Sequence, residues 1–299
     1  MRWDGERESS NVEDRRSNAG DGRGMRIPIP TGRGGLGVGG LLLALALGWV
    51  FGINPLTLLG LLDDGQVQVP TQSAPQRPAG AHDSPPKDNG ARFASVVLAS
   101  TEDVWQQEFA QRGARYEPPV LVLYRGGTRT GCGIGNAAAG PFYCPEDRRV
   151  YLDLDFFTVM RDRLGAGGDF AQAYVIAHEV GHHLQNLTGT MRKMAEARGR
   201  LSERQYNALS VKLELQADCF AGVWAQRSQQ ARGWLDRGDI EEAINAAAAV
   251  GDDRLQKQSQ GVVVPDAFTH GSSAQRVQWF RAGLQSGQLD ACNTFAAGR

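Results

Sequence analysis

Ala177-His178-Glu179-Val180-Gly181-His182-His183 is the stretch on which the reading of this chain turns. Residues four apart lie on one face of an α-helix, so His178 and His182 can present two imidazoles to one ion while Glu179 stands beside them. The preceding residues, Asp169 to Ile176, contain neither Pro nor Gly and set Phe170, Tyr174 and Ala177 at helical spacing. The motif is therefore expected on a helix that begins at Gly168-Asp169.

Zinc explains these residue types at this spacing. Neutral imidazole is a good ligand for Zn²⁺, and a catalytic site needs three protein ligands with a fourth corner left for water. A carboxylate next to the first histidine is placed to take that water's proton. Downstream, Glu214-Leu215-Gln216-Ala217-Asp218 lies in another long helical pattern and supplies a second i,i+4 pair. Glu214 is the expected third ligand of one Zn²⁺ ion, and Asp218 the acceptor that fixes the tautomer of a ligand histidine.

With His-Glu-x-x-His followed by Glu-x-x-x-Asp, the chain resembles the gluzincins. Thr130-Gly131-Cys132-Gly133, Gly140 to Pro145, His178 to His183, Glu214 to Ala221 and Phe268 to Ser272 together resemble the bacterial putative neutral zinc metallopeptidases. The likeness covers about residues 92–299 and includes a membrane anchor before the domain. It implies a membrane-attached zinc peptidase without naming a substrate.

Outside that domain, residues 1–33 mix seven arginines with six acids and almost no large apolar side chains. Such a composition cannot bury a core, and a disordered cytoplasmic tail is expected. Residues 34–62 carry no charge and include Leu41 to Phe51. They read as an uncleaved anchor with one transmembrane helix over about 36–57. Arg23, Arg26 and Arg33 precede it and Asp63 and Asp64 follow it. The positive-inside rule then leaves the N-terminus in the cytoplasm and the catalytic domain extracytoplasmic at a bacterial inner membrane. Residues 63–91, with Pro70, Pro75, Pro78, Pro85 and Pro86, read as an extended linker. A net charge of −1 gives no sign of nucleic-acid binding, so the expected partners are a lipid bilayer and a peptide or protein of the cell envelope.

Within residues 92–299 the expected class is α+β: a mainly helical, zincin-like domain with a small β-sheet. Phe93 to Arg112 shows helical spacing, whereas Val120–Tyr124 and Arg149 to Asp155 read as strands. In gluzincins an edge strand near the active helix pairs with extended substrate; Val150 to Asp153 is a candidate, with an ordinary hairpin strand as the alternative. Ser202-Glu203-Arg204-Gln205 is a capping-box start for the Glu214 helix, and Asp239 to Glu242 and Ser272 or Ser273 mark two further helix starts.

Four cysteines, Cys132, Cys144, Cys219 and Cys292, include no C-x-x-C pair. An even number in an exported domain suggests two disulfides, and of the three possible pairings Cys132 with Cys144 and Cys219 with Cys292 would tie neighbouring elements. His270 sits just ahead of the last helix start and is a candidate to stabilise the oxyanion of a zincin reaction, with Tyr143 competing for that role. A non-catalytic, zinc-containing envelope binding or assembly protein is the alternative to the peptidase.

Overall fold

A computed structural model of the chain describes residues 1–17, 88–136 and 140–296. Its architecture is α+β, with eight α-helices among the described residues and a small four-stranded sheet. Among those residues no helix is long and apolar enough to cross a membrane. The expected span at 36–57 and most of the linker at 63–91 lie outside them.

After strand β1 (Val12–Asp14) the next described element is helix α1 (Asn89–Gln111), capped by the Asp88 carboxylate accepting from the Ala91 amide at 3.0 Å. Strands β2 (Val120–Tyr124), β3 (Gly127–Thr130), β4 (Gly133–Asn136), β5 (Phe142–Cys144) and β6 (Arg149–Asp153) follow. Helices α2 (Asp155–Leu164), α3 (Asp169–Leu187), α4 (Thr190–Arg198), α5 (Glu203–Arg232), α6 (Asp239–Ala249), α7 (Asp252–Gln260) and α8 (Ser273–Ser286) complete the body. The sheet order is β1-β2-β6-β5, parallel except for the β5–β6 pair, and β3 and β4 form a separate hairpin.

Two expectations are corrected by this topology. Val150 to Asp153 is hydrogen-bonded to β2 on one side and, at Val150 and Tyr151, antiparallel to β5 on the other, as the hairpin alternative expects, so only Leu152 and Asp153 lack a strand partner there; β5 is the terminal strand beside the active helix. The expected tail also begins too early, because residues 1–17 are part of the folded body. Val12, Glu13 and Asp14 pair in parallel with Leu121, Val122 and Leu123, and the Val12 side chain enters the main core. The compositional argument failed because the charges of this segment are paired: Arg15 and Arg149 both bond Glu13, and Arg16 bonds Asp14.

The helices are assembled where side chains vanish. A Cβ on Gly181, inside the histidine motif, would lie 3.1 Å from the Ala217 backbone, so this residue lets α3 and α5 approach closely. At the α5–α8 crossing, Gly222 faces the Phe280 carbonyl and Gly283 faces the Cys219 carbonyl, with no room for a Cβ at either. A mid-helix glycine costs about 1 kcal/mol relative to alanine, a cost offset here by helix packing that alanine would prevent. Disulfides Cys132–Cys144 and Cys219–Cys292 join the β3–β4 hairpin to β5 and α5 to the C-terminal segment. The capping boxes at Ser202–Gln205 and Ser272–Gln275 start α5 and α8, whereas α6 begins after Gly238 without a side-chain cap.

Candidate metal centre

Helix α3 carries both motif histidines on its face toward α5, and their rings stand 4.8 Å apart at 87°. Glu214 of α5 meets them: its carboxylate oxygens lie 3.2 Å from His178 Nε2 and 3.5 Å from His182 Nε2. One ligand atom from each of the three residues falls within 4.8 Å of the others. Tetrahedral zinc with arms of about 2.0–2.1 Å separates its ligands by roughly 3.3 Å, so these donors need only small shifts to share one ion.

The donor chemistry fits as well. His178 Nδ1 donates to Asp218 Oδ1 at 2.9 Å, and His182 Nδ1 donates to Gln185 Oε1 at 2.9 Å. Each ring is thereby held in the tautomer whose Nε2 lone pair faces Glu214. Burial acts to lower both rings, yet Asp218 and Glu214 hold His178 up at about 9, and Glu214 likewise raises His182. Burial acts to raise Glu214, but the facing rings drive it well below the usual carboxylate range. The cluster favours positive charge at its centre, as a divalent cation would supply.

Asp218 is fully buried and receives more than the histidine. Arg276 of α8 forks onto it, Nε to Oδ2 at 2.8 Å and Nη2 to Oδ1 at 2.9 Å, and the Tyr174 hydroxyl donates to Oδ1 at 2.5 Å. Against the upward push of burial, Arg276 and then His178 bring Asp218 down to about 2. Gln185 is also fully buried; its amide nitrogen donates to the Leu213 carbonyl at 2.7 Å, leaving its oxygen turned to His182. Arg276, Tyr174 and Gln185 escape a reading by motif. Only Tyr174 and Gln185 carried a local signal, one turn before His178 and three residues after His182 on the same helix.

Glu179 is 8% exposed and has no hydrogen-bond or ion-pair partner among the described residues. It is close enough to His182 for its charge to be felt there. His270 is not in the three-residue cluster: its amide and its Nδ1 bond Asp252, at 2.6 and 3.2 Å, and its side chain is half exposed. Burial acts to lower it, yet Asp252 first and then Glu214 hold its pKa above the ordinary value, so the ring lies within electrostatic reach of the third ligand. Tyr143, its competitor, is committed elsewhere. Its hydroxyl donates to His183 Nδ1 at 3.0 Å, because His183 Nε2 donates to the Glu117 carbonyl, and it accepts from Asn186 at 2.9 Å.

Comparisons with known proteins agree with this geometry. The family model described as "Putative neutral zinc metallopeptidase" matches residues 1–295. Among relatives, "Uncharacterized protein YpfJ" of Escherichia coli (strain K12) is 52% identical over 299 residues, 99% of each chain. "Uncharacterized protein Rv2575" of Mycobacterium tuberculosis (strain ATCC 25618 / H37Rv) is 45% identical over 194 residues, 61% of this chain and 64% of that one. No solved structure matches.

Proposed function

The chain belongs to the family described as putative neutral zinc metallopeptidase, and from that premise we propose that it is a zinc-dependent peptidase that hydrolyses peptide bonds. The observation that carries the reading is the convergence of His178 Nε2, His182 Nε2 and the Glu214 carboxylate, with both Nδ1 atoms already held by acceptors. Zinc bound there supplies a Lewis acid for the scissile carbonyl and lowers the pKa of water toward neutrality.

The rest is the work of this chain's residues. Glu179, adjacent to the first ligand and without a side-chain partner among the described residues, takes the proton from water and passes it to the leaving amine. His270 keeps Nε2 available because Nδ1 is engaged by Asp252, and a proton on Nε2 can be donated to oxygen charge developing on the carbonyl. The open side of β5, Phe142–Cys144, takes over from β6 as the edge that pairs extended substrate beside α3. Two disulfides favour an oxidising compartment, so substrates are peptides or proteins of the cell envelope, and the uncharged residues 34–62 attach the protein to a membrane.

The test separates zinc binding from turnover. Glu179→Gln should retain one zinc per chain and lose hydrolysis of unfolded protein by about 10²-fold or more. A variant that cleaves as fast as the parent refutes the assignment. His270→Ala should slow turnover with zinc content unchanged.

A further inference from the structure

Glu102 of α1 is a buried carboxylate, 3% exposed, and among the described residues its hydrogen-bond partners all come from residues 7–11. The Ser9 hydroxyl donates to Oε1 at 2.5 Å, the Asn11 amide to Oε1 at 2.7 Å, and the Arg7 guanidinium to Oε2 at 3.1 Å. Ser9 and Ser95 also exchange two hydrogen bonds, the Ser95 hydroxyl donating to the Ser9 carbonyl and the Ser9 amide to the Ser95 carbonyl. Residues 7–11 thus satisfy a carboxylate to which the described residues offer no other hydrogen-bond partner. Trp3, edge-on to Phe93, and Val12, in the main core, add apolar contact.

The two described ends that flank residues 18–87 also meet. Arg16 Nη1 lies 2.7 Å from the Asp88 carboxylate, the group that caps α1. Whatever the intervening chain does, it leaves and returns at one place on the body. A route that crosses a bilayer an odd number of times would put those two ends on opposite sides of it. The uncharged stretch 34–62 has 29 residues, enough for one helical span of ~20 residues and short of two.

We infer that residues 1–17 are a structural part of the catalytic body and occupy the same compartment as residues 88–296, so that the uncharged stretch between them does not hold the two apart. This replaces the expectation of a cytoplasmic N-terminus opposite an extracytoplasmic domain. It keeps the membrane attachment proposed above and changes its form: the whole body lies against one face of the bilayer.

The experiment uses full-length protein in its native host. Ser10 and Gln107 are both exposed, one in the N-terminal segment and one on α1, and the native cysteines are paired in disulfides. Ser10→Cys and Gln107→Cys, made singly, are treated with a maleimide that cannot cross the inner membrane, before and after lysis. The expected result is that both positions behave alike, reacting together in intact cells or together only after lysis. Reaction at one position before lysis and at the other only after it overturns the inference. Sedimentation of the same samples with carbonate-washed membranes reads the attachment separately, and zinc content reads the metal site, so failure of either of those readings is distinguishable from failure of this one.

Discussion

His178 and His182 stand one turn apart on α3 and face the same carboxylate, yet they rest on opposite kinds of support. Behind His178 is a fully buried ionic cluster in which Asp218 accepts from the histidine, from Tyr174 and from the Arg276 fork. Behind His182 is one neutral amide, Gln185, which hands its oxygen to the ring and its nitrogen to the backbone just before Glu214. The first support joins three helices, α3, α5 and α8; the second ties α3 to α5 at the residue preceding the third ligand. Charge at one ring and neutrality at the other keep the number of buried ions low while both rings stay fixed.

Breaking the ionic side should have the largest effect. Asp218→Ala leaves the Arg276 guanidinium buried without its carboxylate and should cost about 3–5 kcal/mol in urea unfolding, together with most of the zinc affinity. The double variant Asp218→Ala, Arg276→Met separates the two roles. Replacing both members of a buried pair by apolar groups restores much of the stability, but the acceptor for His178 stays missing, so zinc binding should remain weak. Recovery of full zinc affinity in the double variant would show that Asp218 does not support the ligand.

The neutral side should respond more gently. Gln185→Leu removes the His182 acceptor and the donor to the Leu213 carbonyl, and zinc affinity measured by competition with a chromogenic chelator should fall about 10–100-fold. Gln185→Glu restores an acceptor for His182 without the donor and should recover part of that loss. Parent-like zinc affinity in Gln185→Leu would make the amide a packing residue only.

What the sequence made legible follows from how local each relation is. His178 and His182, and likewise Glu214 and Asp218, are each put on one helix face by i,i+4 spacing, and the structure brings His178, His182 and Glu214 to within 4.8 Å of one another. Several helices were visible too, from Phe93 onward, at the capping box of Ser202 and at the Ser272 or Ser273 cap, whereas α2 and α7 carried no reading and the strand expected to reach Asp155 gives way to α2 there. Relations between distant surfaces were hidden. Gly181 reads as a weak point until Ala217 is seen against it, and Arg276 reads as a surface charge until Asp218 meets it. Likewise residues 7–14 read as a charged tail because Glu102, which Asn11 bonds, and Arg149, which bonds Glu13, lie 91 and 136 residues away from those partners. Which strand forms the edge depends on sheet order, and Val150 to Asp153 has the alternation of a half-buried strand while sitting between two neighbours.

A third imidazole on the same helix sharpens the contrast between charged and neutral support by its pH dependence. His183 is no member of the metal cluster; it is buried between the Tyr143 hydroxyl and the Glu117 carbonyl, with no carboxylate bonded to it among the described residues. Burial first, with the charge of Arg148 adding to it and the Glu117 carbonyl opposing, lowers it to about 4. The folded state therefore refuses a proton that the unfolded chain accepts near the ordinary histidine value of about 6.5. Its contribution to stability is complete above that value and declines as pH falls toward 4, the reverse of a histidine raised by a carboxylate. Between pH 7 and pH 5.5 the linkage amounts to about 1 kcal/mol. Chelator-treated parent should lose that much more stability over this interval than His183→Gln, each followed by urea unfolding at both pH values. Equal losses would mean that His183 titrates normally, and its environment would then resemble that of neither ligand ring.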